Sequence, residues 1–154
     1  MAEFALIAPV FLLTMSFIFE IGLALFTQEN MDNAARYAAR LIRIGTITGS
    51  SYSSTLVSDI CGTIVLVPSC SANIRVYVAA AASGSTAGSG YSSISTATVT
   101  AGNITSSYAT LAANDDVIVE LGYSQPWVIG LVARAVGGTN ALLLATVAVQ
   151  TEPY

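Results

Sequence analysis

Residues 4–26 read FALIAPVFLLTMSFIFEIGLALF, a run of 23 residues broken by a single charge, Glu20. At about 1.5 Å per residue a helix of that length matches the ~30 Å hydrocarbon core of a bilayer. The later apolar runs, 127–136 and 141–149, are too short to span and predict a buried helix and a strand. A secretory signal has a shorter apolar stretch of about 7–15 residues, with basic residues before it and a small-residue cleavage site after it. The opening MAEF offers an acid, Glu3, and no base. The expectation is therefore a transmembrane helix over residues 1–27 whose basic leader has been removed.

The helical period continues past the span, through TQENMDNAARYAARLIRIG at 27–45. Ala35, Ala38, Ala39 and Ile42 fall at i, i+3, i+4 and i+7 and make one apolar face, with Arg36, Arg40 and Arg43 as a basic stripe beside it. Asp32 precedes Arg36 by four residues, the favourable order for a helical ion pair. Gly45 is a suitable stop. Residues 28–45 thus predict an amphipathic continuation, giving one helix of roughly 40 residues, about 60 Å long. The acids in its first half need partners, because a carboxylate in hydrocarbon costs on the order of 2.5–3.5 kcal/mol. Glu3 sits at the membrane edge. Glu20 lies deeper, and two readings stand: snorkelling or protonation near the interface, or pairing with a neighbouring subunit's amine or arginine.

The remainder, 46–154, predicts a small β-rich head. Residues 46–58 are rich in Ser, Thr and Gly and read as a loop. The runs at 63–67 and 73–78 read as a hairpin across the turn at 68–71, held by a disulfide between Cys61 and Cys70, the alternative being two buried thiols. Residues 83–107 form a low-complexity Ser/Thr/Gly/Ala tract, a long surface excursion with at most a weak strand. Residues 116–123 alternate as a strand, with Asp115-Asp116 as the turn before it. Pro126 suits the first turn of a short helix through Ala135, stopped by Gly137 and Gly138, and 141–150 closes as an apolar strand. The class is α+β, with the long helix packed on a small antiparallel sheet.

Composition restricts function. Only 9% of residues are charged against 54% hydrophobic, and the mean hydropathy of +0.70 requires lipid or a partner subunit over part of the surface. Five Arg, no Lys and a net charge of −4 leave no basic stripe for phosphates, so nucleic acid is not an expected partner. The lack of His removes the commonest general base and metal ligand. No glycine-rich phosphate loop follows a strand, and Asn103-Ile104-Thr105 is a chance match to a glycosylation acceptor. No enzyme activity, cofactor or metal is expected.

Four features together resemble the TadE-like pseudopilins of tight-adherence pilus systems, relatives of type IV pilins. They are Glu3-Phe4-Ala5-Leu6-Ile7-Ala8-Pro9, Phe19-Glu20-Ile21-Gly22 within the apolar run, the Ala-Ala-Arg repeats at 34–36 and 38–40, and the terminal Glu152-Pro153. They cover about the first 45 residues and the last few. The resemblance implies a pilin-like fold and cleavage by a prepilin peptidase. It implies an inner-membrane anchor with the head in the periplasm, and a part in assembling an adhesive pilus as a minor pilin. The alternatives are a structural filament subunit and a membrane-tethered periplasmic binding module. Other pilins and the assembly machinery would be met through the N-terminal helix, with Glu3, Glu20, Arg36, Arg40 and Arg43 as subunit contacts. In such pilins an acid at the fifth mature position pairs with the next subunit's amine; here the matching acid, Glu3, is third. Arg36, Arg40 and Arg43 alone weigh toward a cytoplasmic head, and a basic leader reverses that count.

Overall fold

The structure, a computed structural model, describes residues 2–47, 52–82 and 88–153, and within these not the side chains of 2–6, 131, 135 and 136. Helix α1 spans Ala2–Arg43, 42 residues in one piece. Two of its threonines turn their hydroxyls back on the helix's own carbonyls, which satisfies them without water. Thr14 Oγ1 donates to the Phe11 carbonyl and Thr27 Oγ1 to that of Leu23, both at 2.8 Å. The helix stops as the sequence predicts: Gly45 adopts φ 66°, and the Gly45 and Thr46 N–H groups close on the Ile42 and Leu41 carbonyls.

Helix α2 (Tyr52–Thr63) and a single turn, α3 (Cys70–Asn73), follow. The sheet is built from β1 (Ile74–Ala82), β4 (Ser107–Tyr108), β5 (Asp115–Pro126) and β6 (Asn140–Gln150), with β2 (Val99–Thr100) and β3 (Asn103–Ile104) forming a separate small hairpin. Helix α4 (Gly130–Val136) sits in the connection from β5 to β6. The strand order is β4-β1-β5-β6, antiparallel except that β4 runs parallel to β1. The sheet is therefore mixed rather than purely antiparallel.

Register explains the core. Val76 faces Leu121 and Val78 faces Val119 across β1 and β5, while Val119 faces Val147 and Leu121 faces Ala145 across β5 and β6. These residues share one face of the sheet by the two-residue period. That face packs on Met31, Ala34, Ala35, Ala38 and Ile42 of α1 and on Tyr52, Leu56 and Ile60 of α2. The predicted Ala face is thus the seam between helix and sheet, and short side chains there let the helix backbone approach closely.

Three expectations are corrected. Residues 46–58 are not a loop throughout, since Tyr52, Leu56 and Ile60 recur every four residues and bury one face of α2 beneath a Ser-rich surface. The 63–67 run is not a strand: Thr63 ends α2 and 64–67 form a bend. Its disulfide partner residues do bond, but Cys61–Cys70 ties α2 to α3 instead of closing a hairpin. Pro126 ends β5 and starts no helix: Trp127 N–H still reaches the Thr139 carbonyl at 3.1 Å, and α4 begins only at Gly130. The bridge spans a sequence separation of 9, so Cys61→Ser is expected to cost about 2.5 kcal/mol by loop-closure entropy. Urea denaturation of the full chain in detergent, with and without reductant, checks it: reductant should destabilise the native protein and leave the variant unchanged.

The excursion, of which 83–87 lie outside the described residues, folds over the second face of the sheet. Asp116 accepts from Gly88 N at 3.2 Å and Gly90 N at 2.7 Å, and Glu120 accepts from Ala97 N at 2.7 Å. Gly122 shares that face, and a Cβ there would lie 2.6 Å from Ile104 Cγ1. Asp115-Asp116 therefore opens β5 instead of forming the turn before it. Asp115 points to the strand end, accepting from Ala112 N at 2.8 Å while Thr151 Oγ1 receives the Asp115 N–H at 2.8 Å.

Candidate functional site

The surface with the clearest chemistry is α1 itself. Val10, Phe11, Leu12, Ile18, Phe19 and Leu25 are exposed, Phe19 to 67%, on a helix long and apolar enough to cross a membrane. Such a surface calls for lipid or other helices around it.

Glu20 interrupts it, and the chain covers Glu20. Its side chain is 4% exposed and accepts a hydrogen bond from the Val128 backbone N–H, at the tip of the β5–β6 connection. Further up, Gln28 Nε2 donates to the Leu144 carbonyl at 2.7 Å and to Asp32 Oδ1 at 3.2 Å. The head thus clasps α1 from Glu20 upward. Asp32 is held by Gln28, and among the described residues no ion pair joins it to Arg36.

The basic stripe divides. Arg36 and Arg40 are exposed, with no carboxylate pairing with them among the described residues. Arg43 Nε lies 3.0 Å from Glu152 Oε1, and the Glu152 N–H donates to the Arg43 carbonyl at 2.9 Å. Both side chains are half exposed, so the ion pair itself is worth less than about 1 kcal/mol; its effect is to seat the C-terminal tail on the end of α1. The side chain of Glu3, the remaining contact expected from sequence, lies outside the described residues.

An open cleft of about 610 Å³ beside the Cys61–Cys70 bridge is lined by Ser53, Val57, Ser58, Ser71 and Tyr108, hydroxyl and aliphatic groups without a base. Among the described residues no three His, Cys, Asp or Glu side chains cluster closely enough for a metal ion. Behind the cleft, Tyr52 donates its hydroxyl to the Ala109 carbonyl and meets Tyr108 edge to face at 5.9 Å. Burial, and secondarily Tyr108, push the Tyr52 phenol up to about 12. A raised phenol favours the protonated native state, so this contribution is complete below pH 10 and falls away between about pH 10 and 12. Tyr52→Phe is expected to flatten that alkaline loss, measured as denaturation midpoints on either side of the window.

Sequence reasoning missed Val128, Asp116 and Glu120. Val128 acts through its backbone N–H, for which residue type carries no signal. The two acids stood at alternating positions in a strand, and that alternation was the available clue to a second covered face.

The family model of TadE-like protein matches residues 1–40, nearly all of α1 and none of the head. No curated protein and no solved structure matches the chain. The match is consistent with a TadE-like pseudopilin and points to involvement in a tight-adherence pilus.

Proposed function

We propose that the chain is a non-catalytic minor pilin or pseudopilin, held in the inner membrane by α1 with its head in the periplasm, that takes part in assembling a tight-adherence pilus. The observation that carries this reading is the coincidence of the family match at 1–40 with the exposed apolar helix. The disulfide supports an oxidising compartment for the head. In this reading α1 meets other pilins and the assembly machinery, a prepilin peptidase releases its N-terminus, and Glu3, Arg36 and Arg40 offer charges to neighbouring subunits.

Shearing filaments from native cells and quantifying this protein against the most abundant pilin by mass spectrometry tests the proposal. Trace incorporation, with the bulk in the inner membrane, is the expected result. Parity would make the chain a structural subunit, and retention in the membrane with no effect of its deletion on piliation would remove it from the pathway.

Glu20→Ala separates anchoring from assembly. Removing a carboxylate from the apolar run eases insertion, while Val128 N–H loses its acceptor and the clasp on α1 loosens by about 1–2 kcal/mol. Membrane extraction should therefore be unchanged and pilus output reduced; undiminished output would show that Glu20 has no part in assembly.

A further inference from the structure

We propose that the tip of the β5–β6 connection, with the 64–67 bend beside it, docks into the interfacial layer of the bilayer that α1 crosses. The head would then lie against the membrane rather than stand above it on a stalk. The inference rests on the membrane-anchor reading of α1.

Geometry along α1 is the first support. The tip reaches Glu20 through Val128, six residues inside an apolar run that ends at Phe26, or about 9 Å along the helix. From Phe4 to Glu20 there are 16 residue steps, about 24 Å, already less than the ~30 Å hydrocarbon core. A helix seated by its apolar run places the level of Glu20 at or below the headgroups. The element clasped to Glu20 goes with it.

The chemistry of the tip fits that depth. Between Leu121 and Gln150 there is one charged residue, Arg134, and it is exposed, where it can extend to lipid phosphates. Val128 is 76% exposed and Val65, on the neighbouring bend, 81%. Leu23 of α1, Leu66 of the bend and Val128 of the tip line one cleft, so the exposed aliphatic groups continue the lipid-facing surface of α1. Trp127, next to Val128 in sequence and only partly buried, is an aromatic ring of the kind enriched at headgroup level. The same placement accounts for Glu20, since the tip removes its carboxylate from lipid and supplies a donor.

Trp127 is the only tryptophan, which makes the test direct. The full chain is reconstituted into vesicles of phosphatidylcholine and phosphatidylglycerol, and anchoring is scored separately by flotation. Lipids brominated near the carbonyl end of the chains should quench Trp127 about twofold more than lipids brominated near the chain ends, as expected for an interfacial ring. Val65→Asp, a change at an exposed position of the bend that leaves the Glu20 contact intact, should roughly halve the shallow quenching while flotation persists. Flotation with no quenching by either lipid and free quenching by acrylamide would overturn the docking and leave the anchor intact. Shielding from acrylamide without lipid quenching would mean that protein, the head's own packing or another copy of the chain, and not lipid covers Trp127, and also overturns it. Failure to float would overturn both readings.

Discussion

Asp116→Ala is expected to destabilise the head by about 3 kcal/mol, because two backbone N–H groups, Gly88 and Gly90, lose their shared acceptor. The carboxylate is fully buried, so water cannot replace it without opening the excursion. Each orphaned donor costs about 1–3 kcal/mol, and the lower half of that range is used because Gly88 lies nearer the surface. Asp116→Asn, which keeps an acceptor of the same shape, should cost about half as much. Gly90→Ala attacks the latch from the other side: its Cβ would stand 2.9 Å from Asp116 Oδ2 and 3.0 Å from the Ala81 and Ala82 carbonyls, and strand carbonyls cannot move aside cheaply. Since both changes break one contact, the double variant should cost less than the sum of the two. Urea denaturation of the full chain in detergent gives all four values. A cost for Asp116→Ala below about 1 kcal/mol would mean that the excursion is held by something else.

That latch also shows where sequence reading ends. The run at 4–26 and the Ala35, Ala38, Ala39, Ile42 face were legible because each is a local pattern with one period, and α1 and its buried seam follow them residue by residue. The alternation at 116–123 placed β5, and the pairing of Cys61 with Cys70 was readable from compartment and composition. What the bridge joins was not, since Ser-rich text between Tyr52, Leu56 and Ile60 masked the period of α2. Strand β4 is two residues held to the edge of β1, too short to leave a pattern. The contact between Glu20 and Val128 crosses 108 positions and uses a backbone donor. The apolar helix could be seen to carry an unsatisfied acid; the loop that satisfies it could not.

Ala38→Leu is the second change expected to act strongly, at about 3 kcal/mol or a fall of roughly 6–12 °C in Tm. Ala38 is fully buried in the seam, on the same face as Ala34, Ala35 and Ile42, against the inner face of the sheet. A larger aliphatic side chain has no void to enter in a core packed at crystal-like density, so either the helix lifts from β5 and β6 or neighbouring rotamers strain. Lifting would be felt along the whole clasp, since Gln28 to Leu144 and Glu20 to Val128 hold the same two bodies at fixed separation. Arg40→Leu adds an apolar side chain two residues on, at an exposed position, and should change stability by less than about 0.5 kcal/mol. Thermal unfolding of the two variants, followed by far-ultraviolet circular dichroism, makes the comparison. Equal midpoints would mean that the helix is not pressed on the sheet at Ala38. A loss confined to Ala38→Leu would fix the Ala face as the joint on which the head is carried.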